Sequence, residues 1–203
     1  MYSPIIQQLI EKLMLLPSVG PKTAEQYAFS LKELDAKELQ ALAEAIKSLE
    51  KLTRCALCGK IPARQKEVKG VGLICEICAD EKRERSILMV IESEPALESI
   101  EKTARYQGLY FILGEANEKN IKRLLQRLQT THYSLQTPKE LILAFDVTPQ
   151  QELSIFEIKQ AIKHAGFADL TISRLGRGLP TGADLRYADT ATILGALDHR
   201  EKL

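Results

Sequence analysis

The chain opens with apolar side chains in a helical rhythm. Ile5, Leu9 and Leu13 recur every four residues, Ile6, Ile10 and Met14 interleave with them, and Pro17 stops the pattern, which predicts an amphipathic first helix. After the turn Pro17-Ser18-Val19-Gly20-Pro21, Ala24, Ala28 and Leu31 mark one face of a second helix. Asp35 and Glu38 have the spacing of a capping box, and Leu39, Leu42, Ala43, Ile46 and Leu49 then repeat at three and four residues, predicting a third. From Ile87 onward the pattern changes to short apolar runs separated by helical ones: Ile87 to Ile91, Leu109 to Leu113, Leu141 to Phe145 and Leu170 to Ile172. Such continuous runs suit strands buried on both faces, so an α/β layout with a largely parallel sheet is expected. The first run ends in Glu92, and Ser93 with Pro95 opens a helix. The third ends in Asp146, followed by Thr148 as N-cap, Pro149 at the first helical position and Gln151 as capping-box partner. A last helix carries Ile193, Leu194 and Leu197 on its apolar face.

Between the helical start and the α/β part lie the four cysteines of the chain, Cys55, Cys58, Cys75 and Cys78, as two CxxC pairs with sixteen residues between them. Each CxxC turn sets two sulfurs on one side of a tight bend, so two such turns can close one tetrahedral four-thiolate site. That arrangement leaves no open position for water, and the expected cofactor is therefore one structural zinc ion per chain. Gly59, Gly70 and Gly72 fall where a knuckle can need φ > 0. Two disulfides or a redox CxxC are the alternatives. The lack of a signal peptide weighs against both, because intracellular thiols stay reduced. His132, His164 and His199 are scattered and read as surface or core residues.

The composition, with 203 residues, 45% hydrophobic, and no apolar run near a membrane span, leads us to expect a soluble cytoplasmic protein. A cysteine module of about thirty residues can hardly build a core unaided, so the metal would substitute for one. The expected organisation is a helical unit over residues 1–54, a four-cysteine zinc finger over 55–80, an α/β domain over 81–175 and a C-terminal loop and helix over 176–203. The 28 basic and 27 acidic side chains leave a net charge of +1, so any contact with DNA must come from a local patch or from repetition in an oligomer.

Three further stretches carry candidate chemistry. Leu16 to Lys22 resembles the hairpin of the helix-hairpin-helix DNA-binding motif. Gly20 would permit the bend and a close backbone approach, and the amides opening the next helix, with Lys22, could receive one phosphate. Such contacts grip the backbone and ignore sequence. Glu92 and Asp146 both fall at strand carboxyl ends, the edge where open α/β sheets bind ligands. Acids so placed resemble those with which Toprim domains hold Mg²⁺, but the Asp-x-Asp of catalytic members reads Asp146-Val147-Thr148 here, with a hydroxyl for one carboxylate. Neither Tyr106 nor Tyr110 has a local feature marking it as an activated nucleophile. Finally, Arg174 to Leu185 contains three glycines and a proline, and its Arg177 could reach phosphate or an acidic partner. It lacks the Lys-Ser/Thr ending of a nucleotide-binding P-loop.

The order of these pieces, ending in Arg177-Gly178-Leu179-Pro180-Thr181-Gly182, resembles the RecR recombination mediator family over nearly the full chain. The resemblance implies a non-catalytic protein of the bacterial cytoplasm and nucleoid that assembles into a ring-like tetramer around DNA. It implies work with RecO and RecF in loading recombinase at gapped DNA during repair. It assigns Lys22 to DNA contact, the four cysteines to zinc, and Glu92 and Asp146 to contact with RecO; the residues themselves add Gly20 to the DNA contact, weak Mg²⁺ binding by the two acids, and Arg177 as a partner contact. The chain departs from the family pattern at Gln26, commonly Arg, at Ala183 and Arg186, where glycine and an acid are usual, and in the short segment Gly114 to Asn120. Two other readings stay open. One is a Mg²⁺-dependent nuclease, primase or topoisomerase using Glu92 and Asp146. The other is an interaction adaptor that needs no DNA, its hairpin packed on a neighbouring subunit. The absence of Trp and scarcity of aromatics disfavour a stacking groove for single strands.

Overall fold

The computed structural model describes residues 2–130, 137–176 and 178–200. They form two compact units, Met1–Leu52 and Thr53–Leu203.

The first unit contains the three helices expected. Helix α1, Pro4–Leu13, starts with Ser3 as N-cap, whose hydroxyl accepts from the Ile6 N–H at 3.4 Å. Helix α2, Pro21–Lys32, packs against it through Ala24 and Ala28, which are fully buried beside Ile10. Alanine suits that seam because its single methyl lets two helix backbones approach closely. Helix α3, Ala36–Ser48, is capped by Asp35, which accepts from the Glu38 N–H at 2.8 Å. It buries none of its side chains, and Leu39, Leu42, Ile46 and Leu49 all remain exposed.

The bend between α1 and α2 differs from the expectation. Gly20 has φ −84° and ψ 174°, ordinary extended backbone, and serves as the N-cap of α2. The left-handed conformation falls on Ser18, with φ 62°. A short polar residue tolerates that region better than most side chains, so the turn needs no glycine there.

The second unit is built on a four-stranded, wholly parallel sheet in the order β4-β3-β5-β6. Its strands are β3 Glu84–Ile91, β4 Gly108–Ile112, β5 Glu140–Ala144 and β6 Thr171–Arg174. Before them lie β1 Gln65–Val68 and β2 Gly72–Cys75, an antiparallel hairpin, then a single helical turn, α4 Glu76–Ala79. The sheet is followed by α8, Thr190–Asp198. Helices α5 Glu94–Glu101, α6 Glu118–Gln129 and α7 Pro149–His164 make the crossovers. Right-handed crossovers put α5 on one face and α6 and α7 on the other, where the latter two pack together. The chain runs outward from β3 to β4 and then returns past β3 to β5, so the topological switch lies between β3 and β5.

The cysteine module closes the β4 edge of this sheet. The Cys58 carbonyl accepts from the Ile112 N–H at 2.8 Å, supplying a partner that a neighbouring strand would otherwise provide. All four cysteines belong to the same buried cluster as Val90, Phe111, Leu124 and Leu141. Lys60, only 6% exposed, ties the module to α5 through Glu94 and Glu98 at 3.7 and 3.2 Å and reaches Glu76 of the module at 3.2 Å. Burial alone would push its ammonium toward neutrality. The Glu76 and Glu98 carboxylates outweigh that and raise its pKa, so Lys60 stays charged.

Candidate functional site

Three sites that the sequence singled out can be built from the residues upward. The first is the start of α2. Pro21 has no N–H, and the Lys22 and Thr23 N–H groups lie in a first turn where the helix supplies no acceptor. A Cβ added at Gly20 would meet nothing within 4 Å, so the backbone there lies open. Gly20 and Lys22 thus sit together on an exposed helix N-terminus, a geometry that favours an anion.

The second is the cysteine cluster. Two knuckles bring the Sγ atoms of Cys55, Cys58, Cys75 and Cys78 within 4.8 Å of one another, all buried. Cys58 and Cys75 approach to 3.5 Å, and all four cysteines are free, so neither CxxC pair is a disulfide. Four sulfurs about 2.3 Å from a central ion would stand roughly 3.8 Å apart, so this set fits a tetrahedral metal ion. The sequence placed glycine where knuckles turn left-handed, and Gly59, Gly70 and Gly72 have φ of 81°, 80° and 101°. Close packing polarises the thiols. A hydrogen bond from Cys58 depresses Cys55, and that same bond raises Cys58. The hydrogen bond with Cys55 likewise raises Cys78. A cation at the centre is what would let all four ionise together.

The third is the carboxyl edge of the sheet. Ile91 of β3 pairs with Ala144 of β5, so Glu92 and Asp146 leave adjacent strands at the topological switch. Burial, and then the Asp146 charge, raises the Glu92 pKa above the ordinary carboxyl value. Glu92 lines a crevice of about 510 Å³ with Arg54, Gly59 and Arg123. Asp146 opens onto another, of about 590 Å³, beside Glu152, Arg174 and Asp189. Thr148, where catalytic Toprim domains carry a second aspartate, has its hydroxyl occupied as the N-cap of α7, accepting from the Gln151 N–H at 3.2 Å. The Gln151 side chain does not complete a capping box. Its amide donates to Glu92 instead, which the sequence could not show because the two lie 59 residues apart.

Both tyrosines serve the fold. Tyr110 is fully buried and donates to Glu101 at 2.6 Å, while Tyr106 donates to the Leu109 carbonyl at 2.9 Å. Burial pushes both hydroxyls well above the usual tyrosine pKa, the reverse of an activated nucleophile. Arg177 lies outside the described residues, as does His132.

Comparison with known proteins now bears on these sites. A family model described as RecR, helix-hairpin-helix, matches residues 6–49, which span nearly all of α1, α2 and α3. A protein of Acidothermus cellulolyticus named Recombination protein RecR is 35% identical over 213 aligned positions, covering 100% of this chain and 99% of the relative. The chain belongs to the RecR family. Proteins of the same name from Enterococcus faecalis and Bifidobacterium adolescentis are 35% and 34% identical, covering 100% and 98% of the chain and 99% and 96% of their own.

Within this RecR-family chain, two of the departures noted in the sequence, Ala183 and Arg186, have local partners. Ala183 replaces a usual glycine, but the left-handed position is taken by Gly182, with φ 83°, and the Ala183 N–H closes a turn onto the Pro180 carbonyl at 2.9 Å. Arg186 replaces a usual acid and pairs with Asp184 at 2.6 Å, its guanidinium 5.8 Å from the Tyr187 ring centroid. Lys60, Arg123 and Arg127 are the polar groups that sequence reasoning missed, and Gln151 is the one it placed in a capping box rather than on Glu92. Each lies among ordinary charged or amide residues, and only the fold brings it to a site. No helix among the described residues is long and apolar enough to cross a membrane.

Proposed function

We propose that this chain is a recombination mediator that grips DNA by its backbone and performs no turnover of its own. The observation that carries the reading is full-length kinship with proteins named Recombination protein RecR. The exposed N-terminus of α2 supplies the means. Lys22 and the free amides of its first turn hold one phosphate, and contacts of that kind carry no sequence preference. Residues 1–54 serve as this gripping unit and residues 81–175 as the Toprim-like domain. Residues 55–80 hold one structural zinc ion through Cys55, Cys58, Cys75 and Cys78. The ion supplies folding free energy rather than chemistry.

A net charge of +1 is too small for one subunit to bind DNA tightly, so affinity comes from repetition around a ring-like homotetramer. The apolar face of α3, exposed in the single chain, supports such assembly. RecO, and RecF where present, are the proposed partners, meeting the edge that carries Glu92 and Asp146, with Arg177 proposed as a further partner contact. The proposed setting is the bacterial cytoplasm and nucleoid. Against catalysis stand the missing second carboxylate at Thr148 and the engagement of Glu92 by Gln151.

A gel shift with a labelled gapped duplex in low salt and Mg²⁺, with a deproteinised aliquot beside each reaction, tests this. Retarded, intact DNA is expected, with affinity that falls steeply as salt rises. Lys22→Ala in the intact oligomer should weaken binding several-fold and flatten the salt dependence. Cut or extended DNA would make Glu92 and Asp146 catalytic, and no shift at any concentration would favour an adaptor that works without DNA.

A further inference from the structure

Arginine cannot shed its proton inside a protein, so a buried guanidinium requires negative charge or hydrogen-bond acceptors close by. Arg127 of α6 is only 6% exposed, yet its Nε and Nη1 atoms have no acceptor among the described residues. Its neighbours Leu124 and Leu128 are fully buried in the same cluster as the four cysteines.

The face of α6 that carries Arg127 meets the first knuckle. Arg123 lies one helical turn earlier on that face, and its Nη2 is 3.2 Å from the position a Gly59 Cβ would take. Gly59 directly follows Cys58. Arg123 itself is engaged elsewhere, with Asn120 Oδ1 at 3.3 Å and the Phe111 ring centroid 5.4 Å from its Cζ. Arg127, the next residue along the face, is left with its Nε and Nη1 donors buried and unpartnered in the cluster that holds the four cysteines. Burial works against its charge and Arg85 repels it. The attractive charges acting on it are those of Cys78, Cys58 and Cys55.

We infer that Arg127 is a positioning residue for the metal: in the occupied site its buried Nε–H and Nη1–H would turn to cysteine sulfur and its charge would offset the net negative charge of a zinc tetrathiolate. This rests on the zinc reading above. A dication held by four thiolates is anionic, and outer-shell donors to its ligands strengthen their hold on the metal. The orphaned donors of Arg127 and the excess charge of the occupied site are thus complementary. The sheet domain would stabilise the metal through α6, and the metal would in turn satisfy a buried cation of the sheet domain.

The test uses the full-length protein, purified with zinc, as wild type, Arg127→Met and Arg127→Lys. Metal content is measured first, then release to excess chelator followed with a metallochromic indicator, and finally the sulfur-to-cobalt charge-transfer band of Co²⁺-substituted protein. The methionine variant is expected to release zinc about 10-fold faster or more and to shift the cobalt band, with lysine intermediate because one head replaces two fixed donors. Wild-type release and an unshifted band in Arg127→Met would overturn the inference and reduce Arg127 to a space-filler, while leaving zinc in place. If the methionine variant does not fold, the lysine variant decides, and release at the wild-type rate overturns the inference equally. Wild-type protein that holds no zinc after reconstitution would overturn the zinc reading itself.

Discussion

At the hairpin turn, Ser18 adopts the left-handed backbone while Gly20 leaves the surface bare, so the two functions expected of one glycine fall on two residues. The Gly20 conformation suits alanine, and nothing crowds its missing Cβ. Gly20→Ala should therefore change unfolding stability by no more than about 0.5 kcal/mol, the poorer cap offsetting the stiffer unfolded chain. If a phosphate approaches this backbone closely, the same methyl should weaken DNA binding, and the pair of measurements separates contact from folding. Glu101 makes a second prediction at this scale. Burial alone would raise its pKa, but the Arg83 guanidinium, paired with it through both oxygens, and the Tyr110 hydroxyl outweigh that and hold it below its ordinary value of 4.5. A depressed carboxyl pKa contributes stability above the unfolded-state value and loses it as pH falls through the folded one. Glu101→Gln should cost about 2 kcal/mol at pH 7, the order expected for a mostly buried charge losing its partner, and progressively less as pH falls through the depressed folded-state pKa. Urea melts across that range would check it.

Among the elements, those with strong periodicity were legible in the sequence and those made by context were not. The run Ile87 to Ile91 announced β3, and Thr148-Pro149 announced the start of α7, because burial on both faces and capping each leave a local mark. The hairpin strand β1, Gln65-Lys66-Glu67-Val68, carries no apolar alternation and leaves no local mark; the cysteine module, not a hydrophobic face, sets its place. Cysteine spacing disclosed the four thiols that the fold gathers, a set able to hold a metal ion, whereas the pairing of Gln151 with Glu92 needed the topology. Helix α3 is amphipathic as its spacing predicts, yet its apolar stripe stays exposed among the described residues. Ile46 is 60% exposed, so Ile46→Glu should leave helix content and melting temperature nearly unchanged. In an oligomer sealed by this face it should reduce the particle mass seen by light scattering and weaken DNA binding with it. An unchanged mass would remove α3 from the interface.

For the molecule as a whole, the division into Met1–Leu52 and Thr53–Leu203 sets how it should come apart. The helical unit has its own core around Ile10, Ala24 and Ala28, whereas the cysteines share theirs with the sheet. Stripping the metal should therefore lower the melting temperature of the larger unit and leave the smaller one's helical signal in place, giving two calorimetric transitions where holo-protein is compared with chelated protein. Cys55→Ser should act in the same way. A variant that lost its metal and kept its melting temperature would contradict the coupling.

The bond from the Ile112 N–H to the Cys58 carbonyl has a consequence for how such a stripped chain would fail. Strand β4 reads Gly-Leu-Tyr-Phe-Ile, fully buried and without the charge or proline that guards a border strand. The knuckle covers its Ile112 end. Once that loop slackens, β4 becomes a template on which a second molecule can add a strand, so metal starvation would convert a folding defect into polymerisation.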